Sequence, residues 1–435
     1  MEINLSPGQI VELKTKKGNF KCVILDSPSK DIILIKLPSG YNIGIREEDI
    51  LDVKILKESN IKEEIGKIKE KNLQIKTKNK SLQKIALIVC GGTISAKLDY
   101  KTGAVHWLTN TNELLNFYPE ILEIADISKI EVPFMKASED IDSKDWTKIS
   151  KNIENLINQP EIKGIIVTHG TDFLHYTSSA LAFSLGKLNK PVVLTYSQRS
   201  SDRASSDARL NLKCAARVAI SDIAEVVLVG HANSDDDFCY VIKGTKVRKM
   251  HTSRRDAFRP INSKPLAKVF SDRIEVIDSY NPRNEKLKVS ANSKFSDKVA
   301  LVKFYPGQKP DILNYYINKK YEGIIFEVSG LGHVSTKESR QNMVAKIKKA
   351  VKSGIVICAA PQTIYGKLDP YVYSNGRELL DAGVIFLNDI LSETAFVKLS
   401  WVLANKKMKK NVKENMLKNF NGEFSKFLTK DEFLN

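Results

Sequence analysis

Cysteine is scarce and scattered. Five occur in 435 residues, at Cys22, Cys90, Cys214, Cys239 and Cys358, and no two form a C-x-x-C pair. An odd, dispersed set argues against a disulfide framework and offers no zinc-ligand spacing. Buried free thiols are the expectation. No apolar run is long enough to span a bilayer, and the start Met1-Glu2-Ile3-Asn4-Leu5-Ser6 has no signal-peptide pattern. A cytoplasmic protein with no membrane role is expected. The histidines lack metal-ligand spacing. The acidic run Asn233-Ser234-Asp235-Asp236-Asp237 lacks the glycine and distal glutamate of a calcium loop. No G-x-x-x-x-G-K-[ST] stretch occurs. Neither a metal nor a nucleotide site is therefore expected on this chain.

What is present is a globular composition, 42% hydrophobic and 27% charged, with a formal net charge of +17. Such a charge suits a polyanionic partner such as RNA. It equally fits a lysine-rich chain with solvated helix faces, which the lysine runs at 57–84 and 406–418 favour. The length calls for two or three domains.

The pattern changes along the chain. Residues 1–56 hold short alternating runs such as Ile10-Val11-Glu12-Leu13 and Phe20-Lys21-Cys22-Val23, separated by turn residues; they predict a small antiparallel β-barrel. Residues 57–84, rich in lysine and glutamate, read as a solvated linker. From Ile85 apolar strands alternate with helical stretches, at 85–90, 164–168, 191–195 and 224–230. Near-continuous apolar strands between helices predict a parallel sheet covered on both faces. A polar linker is placed at 279–298, around Asn281-Pro282-Arg283-Asn284. A second alternating set, at 299–304, 323–328, 354–359 and 383–387, predicts a smaller C-terminal α/β domain that ends in a basic helical tail.

Two strand ends carry the chemistry. Residues Cys90-Gly91-Gly92-Thr93-Ile94-Ser95 follow the apolar run Ile85–Val89. Glycine permits close approaches and backbone angles that other residues forbid, and ligands in parallel sheets bind at the carboxyl ends of strands. Thr93 is thus placed to meet something small; an ordinary strand-to-loop turn is the competing reading. The second stretch is Val167-Thr168-His169-Gly170-Thr171-Asp172. Its carboxylate can hold an ammonium, and its hydroxyl can attack or pass on a proton. The same Thr-Asp pair also suits a helix N-cap. His169 beside it is read as fixing the turn.

Together these stretches resemble the L-asparaginase/glutaminase family. The resemblance implies that Thr93 is the nucleophile and that Thr171, Asp172 and a lysine form a proton relay. It matches Tyr100 to a tyrosine of the mobile loop over the site. It matches Ala137-Ser138-Glu139-Asp140 to the substrate-carboxylate loop, with Ser138 on the α-carboxylate. Glu139, where the ordinary asparaginases carry glutamine, and the N-terminal barrel fit one branch: the D subunits of the archaeal glutamyl-tRNA(Gln) amidotransferases. Tyr41-Asn42-Ile43-Gly44-Ile45, Gln198-Arg199-Ser200-Ser201-Asp202-Arg203, Gly330-Leu331-Gly332-His333-Val334 and Tyr373-Ser374-Asn375-Gly376-Arg377 agree with that branch. The ordinary relay-lysine position falls near Ser221-Asp222, where no lysine stands. In this branch it comes instead from Lys246-Val247-Arg248-Lys249-Met250-His251. Lys249 is the choice and Lys246 the rival. A relay lysine must shed its proton, which desolvation or nearby cations promote; Arg248, Arg254 and Arg255 are neighbours in sequence.

The resemblance further implies an α/β asparaginase-like architecture: a large parallel-sheet domain with the amidase site at 85–278, and a smaller domain at 299–435. It implies glutamine hydrolysis to supply ammonia to an E subunit, which uses ATP and magnesium to amidate Glu-tRNA(Gln). It implies no cofactor on this chain, tRNA(Gln) met through the complex, and a homodimer core within a heterotetramer. A free-standing asparaginase or glutaminase is the first alternative. An RNA-binding module with an inert amidase-like domain is the second.

Overall fold

The computed structural model describes residues 5–25, 27, 31–38, 42–56, 81–98, 105–107, 118–201 and 205–433. Tyr41, Tyr100, Asp202, Arg203 and most of the expected linker at 57–84 lie outside these residues. The large domain begins at Lys84, the first residue of a strand.

The N-terminal segment is a five-stranded antiparallel sheet of β1 (Ile10–Thr15), β2 (Gly18–Leu25), β3 (Ile32–Lys36), β4 (Asn42–Arg46) and β5 (Ile50–Ile55), in the order β4-β3-β2-β1-β5. Alternation in β1 buries Val11, Leu13 and Thr15 and exposes Glu12 and Lys14, as a sheet with one face on a core requires. Val11, Leu13, Cys22, Ile24, Ile35 and Ile45 form that small core.

The large domain is built on eight strands. After β6 (Lys84–Val89) come the short hairpin β7 (Ala96–Leu98) and β8 (Val105–Trp107), which stands apart. Then follow β9 (Asp126–Glu131), β10 (Ile162–Thr168), β11 (Val192–Thr195), β12 (Val226–His231) and β13 (Cys239–Lys243). A second short hairpin, β14 (Val247–Lys249) with β15 (Phe258–Pro260), precedes β16 (Ala267–Val269) and β17 (Ile274–Val276). The sheet order is β17-β16-β13-β12-β11-β10-β6-β9. From β9 to β12 every pairing is parallel. At β13, β16 and β17 it turns antiparallel, which the sequence pattern did not announce. The connection from β12 to β13, residues 232–238, is too short for a crossover, so only an antiparallel return is open to it.

Helices α1 (Ser143–Ile157) and α2 (Leu174–Leu185) cover one face, and α3 (Ala208–Ala219) the other. Two apolar clusters result, one with Ile149, Ile153 and Leu181, the other with Leu212, Ala215 and Ala219. Strand β6 lies between β9 and β10. Ile85, Ala86, Leu87, Ile88 and Val89 are all buried, which explains their unbroken apolar run.

Residues 279–298 hold no helix or strand, yet they are bonded along the large domain. Asn281 N–H donates to Glu225 Oε1, Asn292 N–H donates to Ser184 O, and Val289 is buried. The C-terminal domain is a parallel sheet of β18 (Val299–Lys303), β19 (Gly323–Val328), β20 (Val356–Pro361) and β21 (Ile385–Phe386) in that order. Its helices are α4 (Ile312–Asn318), α5 (Met343–Lys352), α6 (Ser374–Asp381) and α7 (Ser392–Ala404). Helix α7 packs between the domains and is buried almost all round, with Phe183 of α2 stacked on its Trp401 at 5.7 Å. Among the described residues the tail is helical in α8 (Lys406–Lys409), α9 (Val412–Leu417) and a 3-10 turn at Lys430–Glu432, short of what its composition promised. Beyond, it is fixed by Glu423, whose carboxylate meets Lys398 of α7 at 2.8 Å with both side chains fully buried.

Candidate active site

The site forms where β6, β10 and the loop after β9 end side by side. Gly91 has φ 104° and Gly92 has φ 79°, angles that favour glycine. Space demands glycine as well. A Cβ on Gly91 would lie 2.4 Å from Lys136 O, and one on Gly92 would lie 2.3 Å from Gly170 N. The two glycines therefore let the Thr93 turn settle against the Thr171 turn and the Ser138 loop. Thr93 opens a 3-10 turn, Thr93–Ser95, in which Ser95 N–H donates to Gly92 O at 2.8 Å.

The Thr171 turn is held from behind by neutral His169. Burial pushes this imidazole down to about 4. Its Nδ1–H donates to Gly170 O at 2.7 Å, which leaves Nε2 to accept from Thr177 Oγ1 at 3.0 Å. Trp146 Nε1–H donates to that same hydroxyl at 3.0 Å. One chain of hydrogen bonds thus runs from α1 through α2 to the turn. The N-cap reading of Thr171 and Asp172 is not what the structure shows. Helix α2 starts at Leu174 with Phe173 at the cap, and no side chain caps it.

Thr171 and Asp172 instead face Lys249. Lys249 Nζ donates to Thr171 Oγ1 at 2.8 Å and to Asp172 Oδ1 at 2.8 Å. The lysine side chain is 9% exposed and the aspartate 60% exposed. The ammonium is thus sheltered while the carboxylate reaches the mouth of the site. Lys246 points elsewhere: its Nζ meets Asp389 Oδ2 at 2.5 Å and Ser425 Oγ at 2.9 Å, deep between the domains. Geometry thus separates the two lysines. The three arginines near Lys249 in sequence are each matched by a carboxylate, Arg248 by Glu393, Arg254 by Asp256 and Arg255 by Asp236. Each arginine's charge is thus partly met by its own carboxylate.

The Ser138 loop is anchored at both ends. Asp142 caps α1 by accepting from Lys144 N and Asp145 N. Burial alone would raise the Asp145 carboxyl. The Lys136 ammonium at 2.6 Å and the Asp142 backbone N–H outweigh it and hold the carboxyl below its ordinary value. Ser138 is buried, and its Oγ accepts from Phe173 N at 3.3 Å. A Cβ on Gly170 would touch it at 3.0 Å. Glu139 is exposed, with Ser138 Oγ 3.4 Å from its Oε2. The structure thus packs the Thr93 turn and the Ser138 loop against the Thr171 turn, where Thr171 and Asp172 meet Lys249; Tyr100 lies outside the described residues.

Sequence reasoning missed the residues behind Lys249. Arg248 Nη2 meets Glu393 Oε1 at 3.0 Å, and His175 Nε2 lies 3.9 Å from the same oxygen. Burial, with Arg248 and Lys249 nearby, pushes His175 down to about 3, and its Nδ1 has no hydrogen-bond partner. No local spacing announces partners more than a hundred residues apart. Among the described residues, no group of three or more His, Cys, Asp or Glu side chains is arranged to hold a metal ion, and no helix is long and apolar enough to cross a membrane.

Comparison with known proteins bears on the fold and the family. Residues 84–281 match the asparaginase N-terminal domain, 298–416 the glutaminase/asparaginase C-terminal domain, and 5–56 the GatD N-terminal domain. The thermostable L-asparaginase from Thermococcus kodakarensis superposes with a TM-score of 0.69 at 26% identity, over 79% of this chain and 99% of that one. L-asparaginase I from Vibrio cholerae superposes with a TM-score of 0.68 at 26% identity, over 79% of this chain and all of that one (100%). The D subunit of the glutamyl-tRNA(Gln) amidotransferase of Pyrococcus furiosus is 43% identical, over 93% of this chain and 90% of its own. The protein of the same name from Thermococcus kodakarensis is 43% identical over 99% of this chain and 97% of its own. That from Sulfurisphaera tokodaii is 42% identical over 97% and 92%. With relatives this similar over nearly its whole length and three domain matches in one order, the chain belongs to the family of glutamyl-tRNA(Gln) amidotransferase D subunits, which share the asparaginase fold.

Proposed function

We propose that this chain is the glutaminase component of a tRNA-dependent amidotransferase, releasing ammonia from glutamine for the conversion of Glu-tRNA(Gln) to Gln-tRNA(Gln). The observation that carries the reading is Lys249 Nζ at 2.8 Å from both Thr171 Oγ1 and Asp172 Oδ1, on a turn against which the Thr93 turn packs through Gly92 and Gly170.

In this reading Thr93 Oγ attacks the side-chain amide carbon of glutamine. Its proton passes into the relay of Thr171, Asp172 and Lys249, and returns to the departing nitrogen, so that ammonia leaves. The C–N bond is replaced by an ester to Thr93, which water then hydrolyses to glutamate. The tetrahedral oxyanion is met by backbone N–H groups around Gly92-Thr93 or Gly170-Thr171. Ser138 holds the α-carboxylate, Glu139 lines the same loop, and Tyr100 completes the site from the segment after Thr93. The partner is the E subunit, which supplies ATP and magnesium chemistry; this chain works without a cofactor of its own, as a dimer within a heterotetramer, and reaches tRNA(Gln) through that complex.

The test is to trap the ester. Glutamine is mixed with the complex and quenched in acid, and peptides are weighed. A glutamyl addition on the peptide holding Thr93, absent from Thr93→Ala, is expected. An addition elsewhere, or turnover without any addition, would overturn the assignment. The two superposed structures are L-asparaginases, which makes a free-standing amidase the competing reading. A rapid rate from the isolated chain would favour it.

A further inference from the structure

Lys249 sits on a strand that the main sheet does not hold. Among the described residues strand β14 pairs only with β15, as a two-stranded ribbon outside the eight-stranded sheet. A three-residue strand on a small ribbon does not by itself fix an ammonium to within hydrogen-bond reach of two oxygens. Something else must.

The alternation of an extended chain shows what does. Val247 and Lys249 face the large domain: Val247 is buried in the apolar cluster with Phe258, and Lys249 reaches Thr171. Lys246 and Arg248 face the opposite way and are gripped by the C-terminal domain. Lys246 meets Asp389, with side chains 2% and 3% exposed, just ahead of α7. Arg248 meets Glu393 in the first turn of α7. Between them Thr394 Oγ1 donates to Thr245 O at 3.2 Å. The C-terminal tail closes the grip: Ser425 N–H donates to Asp389, Ser425 Oγ accepts from Lys246 Nζ, and Thr245 Oγ1 donates to Asn421 O. The asparaginase C-terminal match stops at residue 416, so these tail contacts lie beyond it.

We propose that Asp389 and Glu393 are positioning residues for the glutaminase step, holding β14 by Lys246 and Arg248 so that Lys249 meets Thr171 and Asp172. The inference rests on the glutaminase reading and deepens it. The C-terminal domain then sets the relay geometry without touching substrate. Buried ion pairs are costly to break from one side, because the remaining charge is left unpaired. The grip is therefore stiff, and displacing a reacting group by about 1 Å can cost ~10²-fold in rate.

The experiment uses the full chain in complex with its amidotransferase partner. Glutamine hydrolysis is measured as kcat and KM, and amidation is measured with ammonium chloride in place of glutamine. In Glu393→Gln and Asp389→Asn, kcat for glutamine should fall by about tenfold to ~10²-fold, with KM and ammonium-driven amidation unchanged. Glu393→Asp, which keeps the charge, should recover part of kcat. Should the buried variants fail to fold, Arg248→Lys keeps the cation but gives up the guanidinium, and the same fall in kcat is expected. Wild-type kcat in folded variants would overturn the proposal. So would a loss shared equally by ammonium-driven amidation, which would mark a merely structural role. Thr93→Ala is run alongside. If it is inactive on glutamine while the Glu393 and Asp389 variants keep full rate, only the grip fails. If it still hydrolyses glutamine, the reading of the site itself fails.

Discussion

Gly92 and Gly170 meet backbone to backbone: a Cβ built on Gly92 would lie 2.3 Å from Gly170 N and 2.4 Å from its Cα. Each glycine directly precedes a threonine of the site, so this one contact sets how near Thr93 comes to Thr171. Gly92→Ala should therefore part the two turns, and its φ of 79° adds backbone strain. The expected outcome is a folded protein with glutamine hydrolysis lowered by ~10²-fold or more. Circular dichroism and an ammonia-release assay check it; near-normal activity would show that the contact is dispensable.

Lys249 and Lys246 are three residues apart and should fail differently. Lys249→Ala removes the group bonded to Thr171 and should lower the rate by ~10²-fold or more, the usual range for a lost acid–base group. Its melting temperature should change little, since Asp172 is exposed. Lys246→Ala strands Asp389 in the interior and should cost about 3–5 kcal/mol of stability. Lys246→Ala should lower the rate as well, through the lost grip on β14, so the thermal melt is what separates the two.

Asp145 ties the Ser138 loop to α1 through Lys136 and its own capping bonds. Asp145→Asn keeps the shape and removes the charge. It should cost about 1–3 kcal/mol and, if Ser138 holds the α-carboxylate as proposed, raise KM for glutamine more than it lowers kcat. An unchanged KM would detach Ser138 from substrate binding. The folded carboxyl sits below its ordinary value. Its contribution is therefore present above the ordinary carboxylate range and lost as pH falls through the folded value.

Buried neutral histidines give the fold an acid-sensitive side. His169 is pushed to about 4 and His175 to about 3, from an ordinary 6.5. Below 6.5 the unfolded chain takes up protons that the native histidines refuse. Stability from these groups is thus full above that value and falls as pH drops toward 4 and 3, by up to about 1.4 kcal/mol per pH unit for each histidine. Denaturant midpoints from about pH 7.5 to about pH 5 should show the slope, and His175→Phe should flatten it. A profile unchanged by the substitution would contradict the assignment.

Where chemistry shows as local pattern, the sequence was legible. The apolar run Ile85–Val89 and the glycines after it mark a buried strand and a close approach, and both are found. Thr171 and Asp172 were legible as a pair, and Lys249 as their partner by resemblance; the structure brings the three together. The antiparallel strands β13, β16 and β17 were missed because Lys-, Ser- and Asp-rich turns break the strand–helix alternation there. Asp389, Glu393 and Ser425 were missed for another reason. Their meaning lies in partners brought near only by domain packing, and a lone carboxylate in a helical stretch looks solvated until α7 is seen to be buried.

The glutaminase reading stands or falls on Thr93. In the complex with its partner, Thr93→Ala should abolish ammonia release from glutamine, since in the proposed reaction that hydroxyl is the nucleophile and its turn packs on the Thr171 turn through Gly92 and Gly170. Amidation of Glu-tRNA(Gln) from added ammonium should continue at the wild-type rate. Both rates, measured on the same preparation, decide the matter. Loss of the first with the second retained is the predicted result. Equal loss of both in a folded complex, or glutamine hydrolysis that survives without the threonine, would contradict it.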